Sequence, residues 1–361
     1  MALDNFGSLI QHNCNISDAR GSRVYSLCTL FLRLRSYYKW EKGLKPWDEP
    51  EPPELLDWIE AKESFWETLE QDDFVELSIN GRSFDPFHPE PVNRYLSENA
   101  LLYGAGYGRS LKPVFFLAEK LEEKTVEGCK TFILGRELHR ELAAPFAMLQ
   151  DSVIYVRQEP FRFYLWDQIN DIRPSGKSGL QYALENYGLT VSGGRQDRAG
   201  LIASFDTIVD QETDVFVYHE VGEMLEDTID RELFRKIIAE FGGGPIELLI
   251  RAIKDILADT HAKGMLSHII NNRKKSSMGF YVTFLDGLRK VLFPEIHDAF
   301  LRFAEHGDWA IIDRALQECR RLNLARADIF FTICRNLEGQ DREKVRAQLE
   351  KELLVPLGLK K

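Results

Sequence analysis

The sequence predicts a chain in two parts. The first is an α+β N-terminal domain with a small, mostly antiparallel sheet and flanking helices; the second is an all-α helical C-terminal domain. Three observations carry this expectation. At 361 residues the chain exceeds what one ordinary hydrophobic core serves. Between positions 74 and 158 several short runs rich in β-branched and aromatic residues lie among turn signals. From Leu201 onward no convincing strand pattern remains, and apolar residues recur at helical spacing between glycines and prolines. The small, polar run SGGRQDRAG (192–200) reads as the linker, giving domains of 1–191 and 201–361.

Taken in order, 17–41 has a helical stripe of Leu27, Leu30, Phe31, Leu34 and Tyr38, with Ser17 or Ser22 as its cap. Gly43 stops it, and KPWDEPEPPE (45–54) is an extended connector because each proline removes a donor and restricts its predecessor. A second helix over 53–70 would pack Leu55, Ile59, Trp66 and Leu69 against the first as a hairpin. FVELSI alternates with period two, and Asn80-Gly81 is a tight-turn signal. A short helix near 90–99 follows, then an apolar segment at 100–104 and strands at 113–121, 129–134 and 152–158. Helices are expected at 135–149 and 159–171. The C-terminal helices are expected at 212–228, 230–241, 245–262, 264–274, 278–292, 294–306, 308–321, 327–336 and 341–354, with Gly242-Gly243-Gly244-Pro245 as the firmest break.

Composition narrows the function classes. The 57 acidic and 46 basic residues leave a net charge of −11, which opposes the electrostatic attraction behind nucleic-acid binding and to anionic membranes. No stretch approaches the roughly 20 apolar residues that span a bilayer, and the N-terminus lacks the features of a secretory signal. The five cysteines form no CxxC pair, so they read as reduced thiols of a cytoplasmic protein.

The densest set of potential ligands lies between positions 214 and 261. His219, Glu220 and Glu223 share one expected helix; Asp255, Asp259 and His261 lie on or just beyond the next. Residues four apart share a helix face, so His219 with Glu223 and Asp255 with Asp259 could hold one metal ion. Imidazole plus carboxylates suits iron, manganese or zinc, with Glu220 as a base beside them. Gly222 supports a close approach, because a mid-helix glycine costs on the order of 1 kcal/mol relative to alanine. Against this, the apolar stripes are Val217, Val221, Met224 and Leu225 on the first helix and Ile246, Leu249, Ile250, Ile253 and Leu257 on the second. They place the four ligands on the far, normally wet sides, where Lys254 and Lys263 would be ordinary counter-charges.

Three further motifs stand out. In HNCNISDA (12–19), Cys14 beside His12 could be a nucleophile with its base, but a polar capping loop explains the same residues. In YGAGYGRSLKP (103–113), three alternate glycines with Arg109 and Lys112 could cradle a phosphate, although the spacing fits neither known glycine-rich fingerprint and a hairpin connection is simpler. GRELHRELAAP (135–145) sets Arg136, His139 and Arg140 beside Glu137 and Glu141, which can pair along a helix. Together, Arg109, Lys112, Arg136 and Arg157 are candidates for an anion pocket.

HNCNISDA, YGAGYGRSLKPVFFLAE, GRELHRELAAP, YVRQE and the HExGE segment YHEVGE, in that order, resemble a bacterial family of two-domain proteins of unknown function. The resemblance runs over most of the chain and is compatible with a boundary near 190–200 and a cytoplasmic location. It implies no activity, substrate or catalytic residue. Two functional readings follow. One is a binding or scaffold module, offering a protein partner a helical groove and the aromatics Tyr37, Trp40, Trp47, Trp58 and Trp66. The other is a metal-binding protein or metal-dependent enzyme built on His219, Glu223, Asp255 and Asp259. Closure of the gap between the two helices is what separates them.

Overall fold

The computed structural model describes residues 2–22, 25–96, 100–108, 111–170, 176–189, 191–192, 195–335 and 341–360. The chain divides into two compact units, Met1–Asn170 and Asp171–Lys361, so the division falls earlier than the polar run 192–200 suggests. The reason is α6 (Lys177–Asn186), which crosses α11 (Lys275–Phe284) inside the second unit. At that crossing a Cβ added to Gly179 would stand 2.8 Å from Gly279 O, and one added to Gly279 only 2.6 Å from Gly179 O.

The first unit combines helices α1 (Ala2–Gly21), α2 (Leu27–Glu41), α3 (Pro52–Glu67), α4 (Pro89–Leu96) and α5 (Gln158–Asn170) with a hairpin and a five-stranded sheet. The hairpin, β1 (Leu77–Ile79) and β2 (Arg82–Phe84), turns on Asn80 and Gly81, both at positive φ, as the sequence predicts. The sheet holds β3 (Leu101–Tyr107), β4 (Pro113–Val126), β5 (Cys129–Arg140), β6 (Ala147–Gln150) and β7 (Val153–Arg157) in the order β3-β4-β5-β7-β6. All pairs are antiparallel except β5 with β7. Along β4, Phe115 and Leu117 join α1's Phe6, Ile10 and Cys14 in one core, while Val114, Phe116 and Ala118 join Phe132, Leu134, Met148 and Tyr155 in another.

Three expectations for this unit are corrected. The stretch 135–149, expected as a helix, continues β5 and then forms β6. Its Glu/Arg spacing mimics a helix, but β5 pairs with β4 and β7 on its two sides. The helix expected over 17–41 is two helices, with Ser26 rather than Ser17 or Ser22 capping α2 through Thr29 N. Tyr37 and Trp66 are buried and Trp40, Trp47 and Trp58 half-buried; rings of Tyr37 and Trp40 stack at 5.2 Å, and Trp47 meets Trp166 at 5.6 Å. These aromatics are core, not a free interface.

Beyond the short pair β8 (Val191–Ser192) and β9 (Arg195–Gln196), the second unit is helical among the described residues. Its remaining helices are α7 (Arg198–Leu225), α8 (Arg231–Phe241), α9 (Pro245–Asp259), α10 (Met265–Asn271), α12 (Gly287–Leu292), α13 (Ile296–His306), α14 (Trp309–Cys334) and α15 (Arg342–Leu349), closed by a π-helical turn over Glu350–Leu354. The glycine run does start α9, and Glu247 reaches back to accept Gly243 N at 2.7 Å. The two helices expected at 308–321 and 327–336 are one. Buried Asn323 supports the join by donating to Leu292 O and Cys319 O. No helix of the described residues is long and apolar enough to cross a membrane.

Candidate functional site

Helices α7 and α9 lie at the centre of the helical unit. The α9 stripe is buried as expected, and on α7 Val217 and Val221 are buried with Met224 and Leu225 half-buried. Buried too are Glu212, Thr213, Glu220 and Gly222 on α7, and Glu247 and Asp259 on α9. Of the four expected ligands only Asp259 is buried; His219, Glu223 and Asp255 are half-buried, and Lys254 is the counter-charge that the amphipathic reading expects. Gly222 sets the separation: a Cβ there would stand 2.8 Å from the Ala258 carbonyl carbon and closer still to its oxygen. Backbone therefore touches backbone, and the His219–Glu223 side of α7 meets the Asp255–Asp259 side of α9.

One ligand atom each from His219, Glu223 and Asp255 lies within 4.8 Å of the others. Asp259 takes a different place. Its Oδ1 lies 2.7 Å from His219 Nδ1, and its Oδ2 accepts Tyr281 Oη at 3.2 Å. Both Asp259 oxygens are thus engaged, and the charged imidazole donates through Nδ1 to Asp259, so that a metal ion would take Nε2 only in exchange for its proton. This carboxylate–imidazole arrangement is the one that orients metal-binding histidines. Asp259 is a positioning group here rather than a fourth ligand. His261 stays apart, its Nδ1 accepting Lys263 N at 3.1 Å.

The electrostatics follow from burial and crowding. Burial works against a charged His219, yet Asp259, helped by Glu220 and Asp255, outweighs it and carries the imidazole pKa up to about 9. Burial, reinforced by Glu223, pushes Glu220 up to about 7 against the pull of His219 and Lys254. Glu220 has no hydrogen-bond partner among the described residues, although only 5 % of it is exposed. Glu223 is ion-paired to Lys254, which with His219 overcomes burial and holds its carboxyl below the usual range. Lys254 is in turn held above its usual value, against burial, by Glu223 and Asp255. The sequence names all these residues except Tyr281, which lies on another helix and leaves no local signal of its contact with Asp259.

Two family models cover nearly all of the chain. Residues 5–157 match the N-terminal domain, and residues 162–352 the C-terminal domain, of the family of unknown function DUF6866. The chain belongs to DUF6866. No curated protein and no solved structure matches it.

The remaining candidates of this DUF6866 chain resolve into architecture. HNCNISDA is not a capping loop but the buried heart of α1. Asn13 donates to Val75 O and accepts Val75 N, each at 2.8 Å; Ser17 donates to Pro113 O at 2.5 Å. Asp18 accepts Lys112 Nζ at 2.7 Å and Leu142 N at 2.9 Å. Cys14 is fully buried and donates to Phe115 O, and burial pushes its thiol well above the ordinary value, the reverse of an activated nucleophile. Gly104 and Gly106 sit within β3 rather than in a turn. A Cβ on Gly104 would enter the Phe116 ring, and one on Gly106 the Gln150 side chain. Gln150 accepts Tyr107 N at 2.7 Å, so the glycines let the edge strands β6 and β3 meet as the sheet curls.

The anion pocket does not assemble. Arg109 lies outside the described residues. Lys112 is buried on Asp18, whereas Arg136 is exposed and pairs with Glu119 at 2.9 Å. Arg157 is buried between Glu137 and Glu141, at 2.5 and 3.5 Å. Each described cation already faces a carboxylate.

Proposed function

We propose that the helical unit binds a divalent transition-metal ion through His219, Glu223 and Asp255. The observation that carries this reading is the His219 ring, held by Asp259 through Nδ1, with one ring nitrogen and a carboxylate oxygen of each of Glu223 and Asp255 all within 4.8 Å of one another. Glu220, 5 % exposed on the same helix and acting electrostatically on both His219 and Lys254, adds a third carboxylate to these surroundings. One imidazole and two carboxylates suit iron, manganese or zinc. Such an ion would supply Lewis acidity or a water activated at neutral pH. Of the chain's own groups, Asp259 and Tyr281 hold the imidazole, and Glu220, poised near neutrality, is placed to accept a proton. The aromatics named for a protein interface are buried or half-buried in the first unit, so the scaffold reading rests on the helical groove and the sheet domain. A cytoplasmic setting is part of the proposal, supported by five unpaired cysteines, four of them buried.

The test is elemental analysis of untagged protein beside a His219→Ala, Glu223→Ala double variant. Near-stoichiometric iron, manganese or zinc that disappears in the variant is expected. Metal-free wild type that takes up none of these ions on titration would refute the proposal.

A further inference from the structure

We propose that Lys254 is a counter-cation built into this centre and that it determines which metal ions enter. The inference rests on the reading of His219, Glu223 and Asp255 as ligands. The Lys254 ammonium is ion-paired to Glu223 and stands 4.0 Å from Asp255 Oδ1, with 16 % of its side chain exposed. It therefore engages one of the three ligands and borders another, in the region where an incoming ion would settle. A metal ion sharing Glu223 with the ammonium would stand within a few ångströms of it, and the repulsion between the two cations opposes metal entry unless the ammonium moves aside.

The surroundings offer the displaced group a place. Lys254 Nζ lies 5.8 Å from the centre of the Phe234 ring, a favourable face for a cation. Glu220, with no hydrogen bond of its own, already acts on Lys254 electrostatically. Displacement still has a cost, and the cost sorts the ions. Magnesium and calcium depend on oxygen ligands and gain little from an imidazole nitrogen. Zinc, iron and manganese gain more from that nitrogen, in an order that also follows their general affinities. Lys254 thus sets a threshold that excludes weakly held hard cations from a carboxylate-rich site.

The experiment titrates Zn²⁺ and Mg²⁺ separately into the full chain by calorimetry, using wild type, Lys254→Met, Lys254→Arg and a His219→Ala, Lys254→Met double variant. Coupling between close buried charges commonly exceeds what a tenfold change in affinity requires. Lys254→Met is therefore expected to bind Zn²⁺ about tenfold tighter or more, and to acquire measurable Mg²⁺ binding. Lys254→Arg should stay near wild type, and the double variant should lose the Zn²⁺ gain. Should Lys254→Met not fold, Lys254→Gln makes the same comparison. If wild type binds Zn²⁺ and the neutral variants bind it no more tightly, the role of Lys254 is overturned while the metal reading stands. If neither wild type nor neutral variants bind Zn²⁺, nor Mn²⁺ or Fe²⁺ titrated in the same way, both fall. Uptake by the neutral variants alone, lost again without His219, would uphold the role of Lys254 and overturn metal binding by the native protein.

Discussion

Replacing Asp259 with asparagine tests the electrostatic frame of the centre without any metal. The His219 imidazole rises from 6.5 to about 9 because Asp259 and its neighbours overcome burial. At about 1.4 kcal/mol per pH unit, that rise is worth about 3 kcal/mol, as an order of magnitude. The sign follows from linkage. A raised histidine pKa stabilises the fold fully below the unfolded value near 6.5, and that contribution is lost as pH climbs through about 9. Glu220 acts in the same direction: its rise from 4.5 to about 7 means stability declines as pH climbs across that interval. Metal-free wild type should therefore lose stability steadily between pH 4.5 and 9. Asp259→Asn removes the charge but keeps an oxygen to accept from Nδ1, so burial dominates and His219 should titrate at or below 6.5. The variant should be less stable than wild type by about 3 kcal/mol at pH 6 and close to it at pH 10. The assay is an NMR titration of the His219 ring, assigned with His219→Gln, beside urea unfolding at both pH values. A wild-type His219 that titrates near 6.5, or an unchanged Asp259→Asn, would refute the reasoning.

Two other outcomes follow from the packing. Gly222→Ala should force α7 away from Ala258, because its Cβ would stand 2.8 Å from the carbonyl carbon. Overpacking of this kind costs about 1–3 kcal/mol, and metal sites tolerate only about 0.2 Å of ligand error, so the variant should fold yet bind Zn²⁺ far more weakly; wild-type affinity by calorimetry would contradict this. In the first unit, Asp18→Ala strands the buried Lys112 ammonium and the Leu142 N–H. A loss of about 3–5 kcal/mol in urea unfolding is expected, and a loss below about 1 kcal/mol would mean that Lys112 finds water or another partner.

What could be read from the sequence depended on whether a local signal had a single physical cause. Asn80-Gly81 and the 242–245 break were legible because only a few backbone conformations accept them. The helix expected at 135–149 was not: Glu137, Arg140 and Glu141 pair at helical spacing, but β5 sets the partners of both glutamates across strands, with Arg157 of β7 reaching each. The far-side argument at His219 was legible in part: Lys254 is a counter-charge, paired with Glu223, and His219, Glu223 and Asp255 are half-buried. Glu220 and Asp259, however, are buried because α7 and α9 pack backbone to backbone at Gly222.

Burial of polar residues is therefore not the distinction between architecture and a candidate site in this chain; the gathering of their ligand atoms is. In α1, Asn13, Ser17 and Asp18 are each matched by backbone groups or by Lys112, and nothing remains for a ligand to satisfy. Arg140 is a nearer test, since its Nε and Nη1 make no hydrogen bond. Its guanidinium, however, lies 5.0 Å from the Trp40 ring and 5.7 Å from that of Tyr37, and those aromatic faces together with Glu137 account for its charge. At the α7–α9 crossing a ring nitrogen of His219 and carboxylate oxygens of Glu223 and Asp255 gather within 4.8 Å, with Lys254 ion-paired to Glu223. Ligand-type groups gathered beside an imidazole held by Asp259 are the reason to test the helical unit first for metal binding.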